Sequence, residues 1–174
     1  MPYIFALPKA TAMEKIYGTS IRQDGLQKTG RNKWQLFYGF YKDGDSTYEY
    51  RHLFHHKPTL DEVKRIILAQ INANIEERIM HGFKWNGISV HLSEENQRNF
   101  KAAYDIAFQM NGAPLPMKFK VGETSDEEAI YYTFEDMETF TDFYTKAVAH
   151  INETLNKGWE EKDSIDWSKF ECDE

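Results

Sequence analysis

Gly82-Phe83-Lys84-Trp85-Asn86-Gly87-Ile88-Ser89-Val90-His91-Leu92-Ser93 holds a helix stop, a hairpin and a helix start within residues 82–93. Asn-Gly is the dipeptide that two-residue hairpin turns favour, because both central residues take positive φ at little cost. A turn there sets Trp85 opposite Ile88 and Phe83 opposite Val90, so all four apolar side chains face one side. Gly82 ends the helix before it, and Ser93, with Glu94-Glu95-Asn96 behind it, caps the helix after it.

Upstream, Pro58-Thr59-Leu60-Asp61-Glu62 has the form of a capping box: Thr59 accepts from the N3 amide while Glu62 reaches back to the cap's N–H. Val63, Ile67, Ile71, Ile75 and Ile79, helped by Leu60 and Ile66, then recur every three or four positions, which predicts a long amphipathic helix. Downstream of Ser93, Phe100, Ala103, Tyr104, Ala107 and Phe108 share a helical face that Asn111-Gly112 and Pro114 terminate. Short strands over 117–121 and 129–133 follow, separated by an acidic loop over 122–128. A third helix carries Met137, Phe140, Tyr144, Ala147, Ile151 and Leu155, with Lys157-Gly158 as its stop. Residues 159–174 read as a short helical turn and an acidic tail, with Trp159 and Trp167 anchoring the turn to the core.

Residues 1–57 have a different character. Trp34-Gln35-Leu36-Phe37-Tyr38-Gly39-Phe40-Tyr41 and Ser46-Thr47-Tyr48-Glu49-Tyr50-Arg51-His52-Leu53-Phe54 read as aromatic strands joined through Asp43-Gly44. Two strands are marginal alone, so the hairpin needs a third, around 16–21, or a helix to pack on. Residues 23–32, with Gly25 and Gly30, read as a polar loop. The order of elements predicts an α+β protein: antiparallel hairpins packed with three amphipathic helices, preceded by an aromatic-rich β region. The domains expected are 1–57 and 58–174, and nothing suggests a Rossmann unit.

Of the 174 residues, 41% are hydrophobic and 28% charged, which fits a soluble folded protein and leaves no room for two enzyme domains. No apolar run reaches the roughly 18–20 residues that cross a bilayer. The start, Met1-Pro2-Tyr3-Ile4-Phe5-Ala6-Leu7-Pro8, is too short and too proline-bounded for a secretory signal. Net charge is −7, which argues against nucleic-acid binding, but residues 1–57 carry +4 and residues 159–174 carry −5, a split that would suit head-to-tail contacts. Cys172 is single and reads as incidental.

Candidates for chemistry are few. Arg51-His52-Leu53-Phe54-His55-His56 is the histidine cluster, yet adjacent residues of a strand point to opposite faces, so it reads as a strand end and no metal ligand is assigned. Asp126-Glu127-Glu128 reads as a solvated loop and Glu135-Asp136 as the first turn of a helix. No nucleophile elbow, phosphate-cradling loop or metalloprotease motif occurs, so no catalytic residue and no cofactor is assigned and the chain is read as a non-enzyme. The residues expected to contact a protein partner are Trp34, Phe37, Tyr38, Tyr41, Tyr48 and Tyr50. Thr59, Glu62, Asn86, Gly87, Ser93, Gly112 and Gly158 are expected to form turns and caps.

The run Glu77-Arg78-Ile79-Met80-His81-Gly82-Phe83-Lys84-Trp85-Asn86-Gly87, then Val90 through Tyr104, Phe143-Tyr144-Thr145-Lys146-Ala147 and Gly158-Trp159-Glu160-Glu161-Lys162-Asp163, carries a resemblance. It resembles an uncharacterised domain of phage and prophage proteins, found near tail-fibre and tail-tip components, over about residues 60–167. That family has no assigned catalytic residues; Asn96 and Asn99 are the polar positions it draws attention to. The resemblance implies a tail-associated structural or fibre-assembly protein, in the virion or the bacterial host cytoplasm. Its partners would be a tail or fibre protein and further copies of itself, with no nucleic acid and no membrane. The alternative is a small acidic phage protein that inhibits a host factor through its tail. An enzyme acting on small carbohydrates or phosphates ranks third.

Overall fold

In the computed structural model, which describes residues 13–171, the chain is α+β. It divides into two compact units, residues 1–73 with 161–174, and residues 74–160. The composition break at His56-Lys57-Pro58 falls where the first sheet ends and the first helix begins. Residues 1–12 and Cys172 lie outside the described residues.

The first unit is built on a four-stranded antiparallel sheet of β1 Glu14–Tyr17, β2 Gly25–Gly30, β3 Lys33–Asp43 and β4 Ser46–Phe54, in the order β1-β4-β3-β2. The aromatic hairpin forms as its alternation predicts, with Asp43 opposite Ser46 across a two-residue turn. The third strand is β1, at the start of the expected stretch. The reading of residues 23–32 as a loop is corrected, because Gly25–Gly30 is an edge strand on β3. Glycines and exposed polar residues hide an edge strand from any alternation test, and such an edge resists pairing with other chains.

Gly39 bends β3. Its φ is +81°, the register shifts between Tyr38 and Tyr41, and a Cβ there would stand 2.3 Å from the Tyr41 ring. The bulge carries Tyr41 next to Tyr48 and Tyr50, with ring centres 5.4 Å away in each case. Within this unit α1, Leu60–His81, buries Val63, Ile67 and Ile71, and Gln70 Oε1 accepts from the Met13 N–H at 3.0 Å. The capping box is present: Thr59 N–H donates to Glu62 Oε2 at 2.8 Å and Thr59 Oγ1 accepts from the Glu62 N–H at 3.2 Å. The chain returns at its end, where a 3-10 turn over Trp167–Phe170 buries Phe170 to 2% exposure.

The second unit begins within α1 and holds β5 Phe83–Trp85, β6 Ile88–Val90, α2 Glu94–Gln109, β7 Met117–Glu123, β8 Ala129–Phe134 and α3 Met137–Asp163 up to Glu160. Asn86 at φ 48° and Gly87 at φ 79° make the expected turn, and Phe83 pairs with Val90 and Trp85 with Ile88. Phe83, Trp85 and Val90 are buried with Phe100, Val121, Phe134, Phe140 and Phe143 in one aromatic core. Each such ring withdrawn from water contributes about 1.5–3 kcal/mol. Trp85 also donates its Nε1–H to Asp142 Oδ2 at 2.9 Å, so the polar atom of the ring is satisfied.

Three expectations in this unit are corrected. Phe108 is 65% exposed and leaves the face that Phe100 and Ala107 bury, although its ring still stacks on Tyr104. Gly158 does not stop α3; the helix runs on to Asp163, and Gly158 is buried where a Cβ would stand 2.2 Å from Ile75 Cδ1. Its missing side chain admits Ile75. Trp159 is 53% exposed, whereas Trp167, the other expected anchor, packs its ring on buried Phe170 with ring centres 6.0 Å apart. Among the described residues no helix is long and apolar enough to cross a membrane.

Candidate functional site

The start of α2 is tied to the strand before it by three side chains. Ser93 Oγ accepts from the Asn96 N–H at 3.2 Å, Asn96 Nδ2 donates to the His91 carbonyl at 2.8 Å, and Gln97 Nε2 donates to the Leu92 carbonyl at 2.7 Å. This fixes one wall of a cleft of about 400 Å³ between α2 and α3. Leu92 and Phe100 lie on one side of it and Tyr144, Ala147, Val148 and Ile151 on the other. Its rim is charged, with Glu94, Arg98 and Lys101. Lys101 is paired with Asp105 at 2.6 Å, which raises its pKa, whereas the Arg98 guanidinium has no partner among the described residues. An apolar floor beside a free guanidinium can hold an apolar side chain with a carboxylate next to it.

A second cleft, of about 430 Å³, opens between the ends of α1 and β6 and the strand β7. His81, His91, Ser93, Asn96, Lys120 and Glu123 line it. Its walls are held by backbone. The His91 N–H donates to the Val121 carbonyl at 2.8 Å and the Leu92 N–H to the Met80 carbonyl at 2.9 Å. Gly122 lies so close to β6 that a Cβ would stand 2.3 Å from the Ser89 carbonyl oxygen. Glu123 is ion-paired with Lys120, which holds its carboxyl below the usual range. His81 Nδ1 lies 3.0 Å from Glu77 Oε1, and the His81 and His91 ring centres are 4.9 Å apart.

The six aromatic residues expected to bind a partner are distributed over both faces of the first sheet. Tyr38, Tyr41, Tyr48 and Tyr50 gather on one face, Trp34 stands on that face opposite Phe54, and Phe37 points to the other. Tyr38 and Tyr50 are buried; Trp34, Phe37, Tyr41 and Tyr48 keep part of their surface open. The Tyr41 hydroxyl donates to Glu161 Oε1 at 2.5 Å and the Tyr38 hydroxyl to the same oxygen at 3.2 Å. Burial first, and the Glu161 carboxylate second, raise both phenols far above their ordinary pKa, so they stay protonated donors. Of the turn and cap residues, Thr59, Glu62, Asn86, Gly87, Ser93 and Gly112 stand at element ends and Gly158 does not.

His52 packs its ring on Phe54 at 4.8 Å, and burial lowers its pKa; His56 Nε2 meets Glu62 Oε1 at 3.0 Å. Asp136 caps α3, Oδ1 accepting from the Thr139 N–H at 2.8 Å, and this bond holds its carboxyl low. Asp126, Glu127 and Glu128 are exposed around Thr124, whose Oγ1 accepts from the Asp126 and Glu128 amides. Asn96 lines the polar cleft, while Asn99 is exposed on α2. Sequence reasoning passed over His81, His91 and Arg98. The signal for the first two lay in the hairpin register: with Phe83 opposite Val90, the residues just outside that pair bracket the hairpin's open end.

A family model described as Domain of unknown function (DUF4376) matches residues 62–173. No curated protein and no solved structure matches the chain.

Proposed function

From a chain that belongs to the family described as Domain of unknown function (DUF4376), we propose a protein that works by contact with other proteins and not by catalysis, as a tail-associated structural or fibre-assembly component of a phage or prophage. The observation that carries this reading is the cleft between α2 and α3, inside the residues the family model covers. Its floor is apolar, Val148 is 38% exposed on it, and Arg98 stands unpaired at its edge. The occupant we assign is a segment of a tail or fibre subunit that presents an apolar side chain beside a carboxylate. Ile106, Phe108 and Met110, exposed on and just after the last turn of α2, add contact surface of the kind such interfaces use. The tail-associated reading rests on the resemblance of residues 60–167 to phage and prophage domains, and self-association belongs to it.

Two measurements test it together. Mass spectrometry of purified particles from a phage encoding the chain asks whether it is present at a fixed copy number. Co-purification from infected cells asks which protein it holds. A fixed copy number makes it a structural part, and capture of a tail or fibre subunit from cells, with absence from particles, makes it an assembly factor. In both cases Val148→Glu and Arg98→Glu reduce the association by tenfold or more. Capture of a host protein in place of a tail component, unaffected by the two cleft variants, overturns the reading.

That last outcome would favour the inhibitor alternative. Glu160, Asp163 and Glu171 are exposed while Phe170 is buried, so residues 160–171 display carboxylates beside a packed side chain. Because truncation would also remove Phe170 and Glu161, the informative variant is Glu160→Gln with Asp163→Asn and Glu171→Gln, which lowers the charge and leaves the packing in place.

A further inference from the structure

The last residue of α1 and the first residue after β6 bring two imidazoles together at the polar cleft. The ring centres of His81 and His91 are 4.9 Å apart and the planes are inclined by 54°. Two imidazoles sharing one tetrahedral ion, each nitrogen about 2.0–2.1 Å from it, have ring centres about 5 Å apart. The separation of the two ring centres is therefore of the size that a shared ion requires.

The rings are also oriented. Glu77 Oε1, 3.0 Å from His81 Nδ1, holds the ring proton on that nitrogen and leaves Nε2 with its lone pair. A carboxylate behind one ring nitrogen is the arrangement that orients metal-bound histidines and raises their basicity. His91 is fixed through its backbone, its N–H donating to Val121 and its carbonyl accepting from Asn96 Nδ2, both at 2.8 Å. Its ring nitrogens have no hydrogen-bond partner among the described residues. An anion is the poorer ligand here, since Glu77 and Glu123 flank the pair and the cation in the cleft, Lys120, is already bound to Glu123.

We propose that His81 and His91 form a two-imidazole site for a borderline divalent transition metal ion. Cu²⁺ binds tightest and Ni²⁺ and Zn²⁺ less tightly, as the affinity order for nitrogen ligands dictates. No third histidine, cysteine or carboxylate completes a metal-holding group among the described residues. The remaining positions go to water. The site joins the end of α1 to the segment that leads into α2.

The test uses untagged, chelator-treated full-length protein carrying His55→Gln and His56→Gln, which silences the other histidine-rich stretch. Calorimetric titration with CuCl₂ is expected to give one ion per chain, with nitrogen coordination in the electron paramagnetic resonance spectrum. His81→Ala and His91→Ala each weaken binding by tenfold or more. Glu77→Gln keeps both imidazoles and weakens it by about tenfold through the lost ring orientation. Copper bound with the same stoichiometry and affinity in the parent and in both alanine variants overturns the site, and so does a parent that shows no saturable binding at hundreds of micromolar Cu²⁺. If circular dichroism shows that an alanine variant has not folded, Glu77→Gln and the parent's spectrum decide: unchanged affinity in the former with no nitrogen coordination in the latter sinks the proposal.

Discussion

Glu49 is 4% exposed and its Oε2 has no hydrogen-bond partner among the described residues. Burial, with a smaller push from the Asp24 carboxylate, raises its pKa above the ordinary glutamate value. A carboxyl whose folded pKa lies above its unfolded one stabilises the fold at low pH, where both states hold the proton. It gives up that stability as pH rises through the folded pKa. Glu49→Gln removes the charge and keeps the shape, so this variant should be more stable than the parent at pH 7–8 by about 1 kcal/mol, the scale of an unsatisfied buried group. The gap should close below about pH 4, near the unfolded glutamate pKa. Urea melts at several pH values check it, and a constant gap across the range would mean that Glu49 does not titrate with folding. This position was not legible in the sequence. Glu49 sits among strand residues that alternate as expected, and only the folded sheet shows that it and its neighbour Tyr50 are both buried.

At the scale of elements, local chemistry was readable wherever it is local. The Thr59 and Glu62 capping box, the Asn86-Gly87 turn and the Ser93 cap each satisfy backbone groups within a few residues, so the sequence pattern contains the whole cause. Gly158 differs because its cause is long-range. A glycine after a periodic apolar run is the usual helix stop, yet α3 continues, and the residue is glycine because Ile75 fills the space a Cβ would occupy. Two effects then compete in Gly158→Ala. Alanine is the better helix former by about 1 kcal/mol, while forcing a methyl against a packed core costs about 1–3 kcal/mol. Ile75 is itself buried and its room to turn aside is small, so the crowding should win and the variant should lose about 1 kcal/mol. Adding Ile75→Val, which deletes the Cδ1 in question, should recover part of that loss. A stabilised Gly158→Ala in thermal melts would show that the crowding is negligible. The histidine pair sits between these cases: the hairpin register brings its backbone positions near, but the 4.9 Å between the rings depends on side chains that no pattern places.

For the whole molecule, buried aromatic residues contribute to packing inside each compact unit, Tyr38, Tyr50 and Phe170 in one and Phe83, Trp85, Phe100, Phe134, Phe140 and Phe143 in the other. Composition along the chain marks where the first sheet gives way to α1, since that change is continuous in sequence. It cannot mark that residues 161–174 rejoin the first unit, because the contacts responsible span more than a hundred positions: Glu161 with Tyr38 and Tyr41, and Phe170 with the Tyr38 ring at 6.5 Å. The second unit is contiguous, residues 74–160, and its aromatic core is drawn from those residues alone. Ending the chain at Glu160 should therefore act unevenly. Tyr38 and Tyr41 would lose the carboxylate that accepts from their hydroxyls, at about 1 kcal/mol each, and removal of Phe170 would open a cavity worth a further 3–5 kcal/mol. Together these approach the whole stability of a small unit, typically about 5–15 kcal/mol. Hydrogen exchange followed by mass spectrometry should then show β3 and β4 losing protection while the strands and helices between Phe83 and Phe143 keep theirs. Equal loss across both regions would mean that the chain unfolds as one cooperative body, and the aromatic core of residues 74–160 would not be sufficient to hold its own fold.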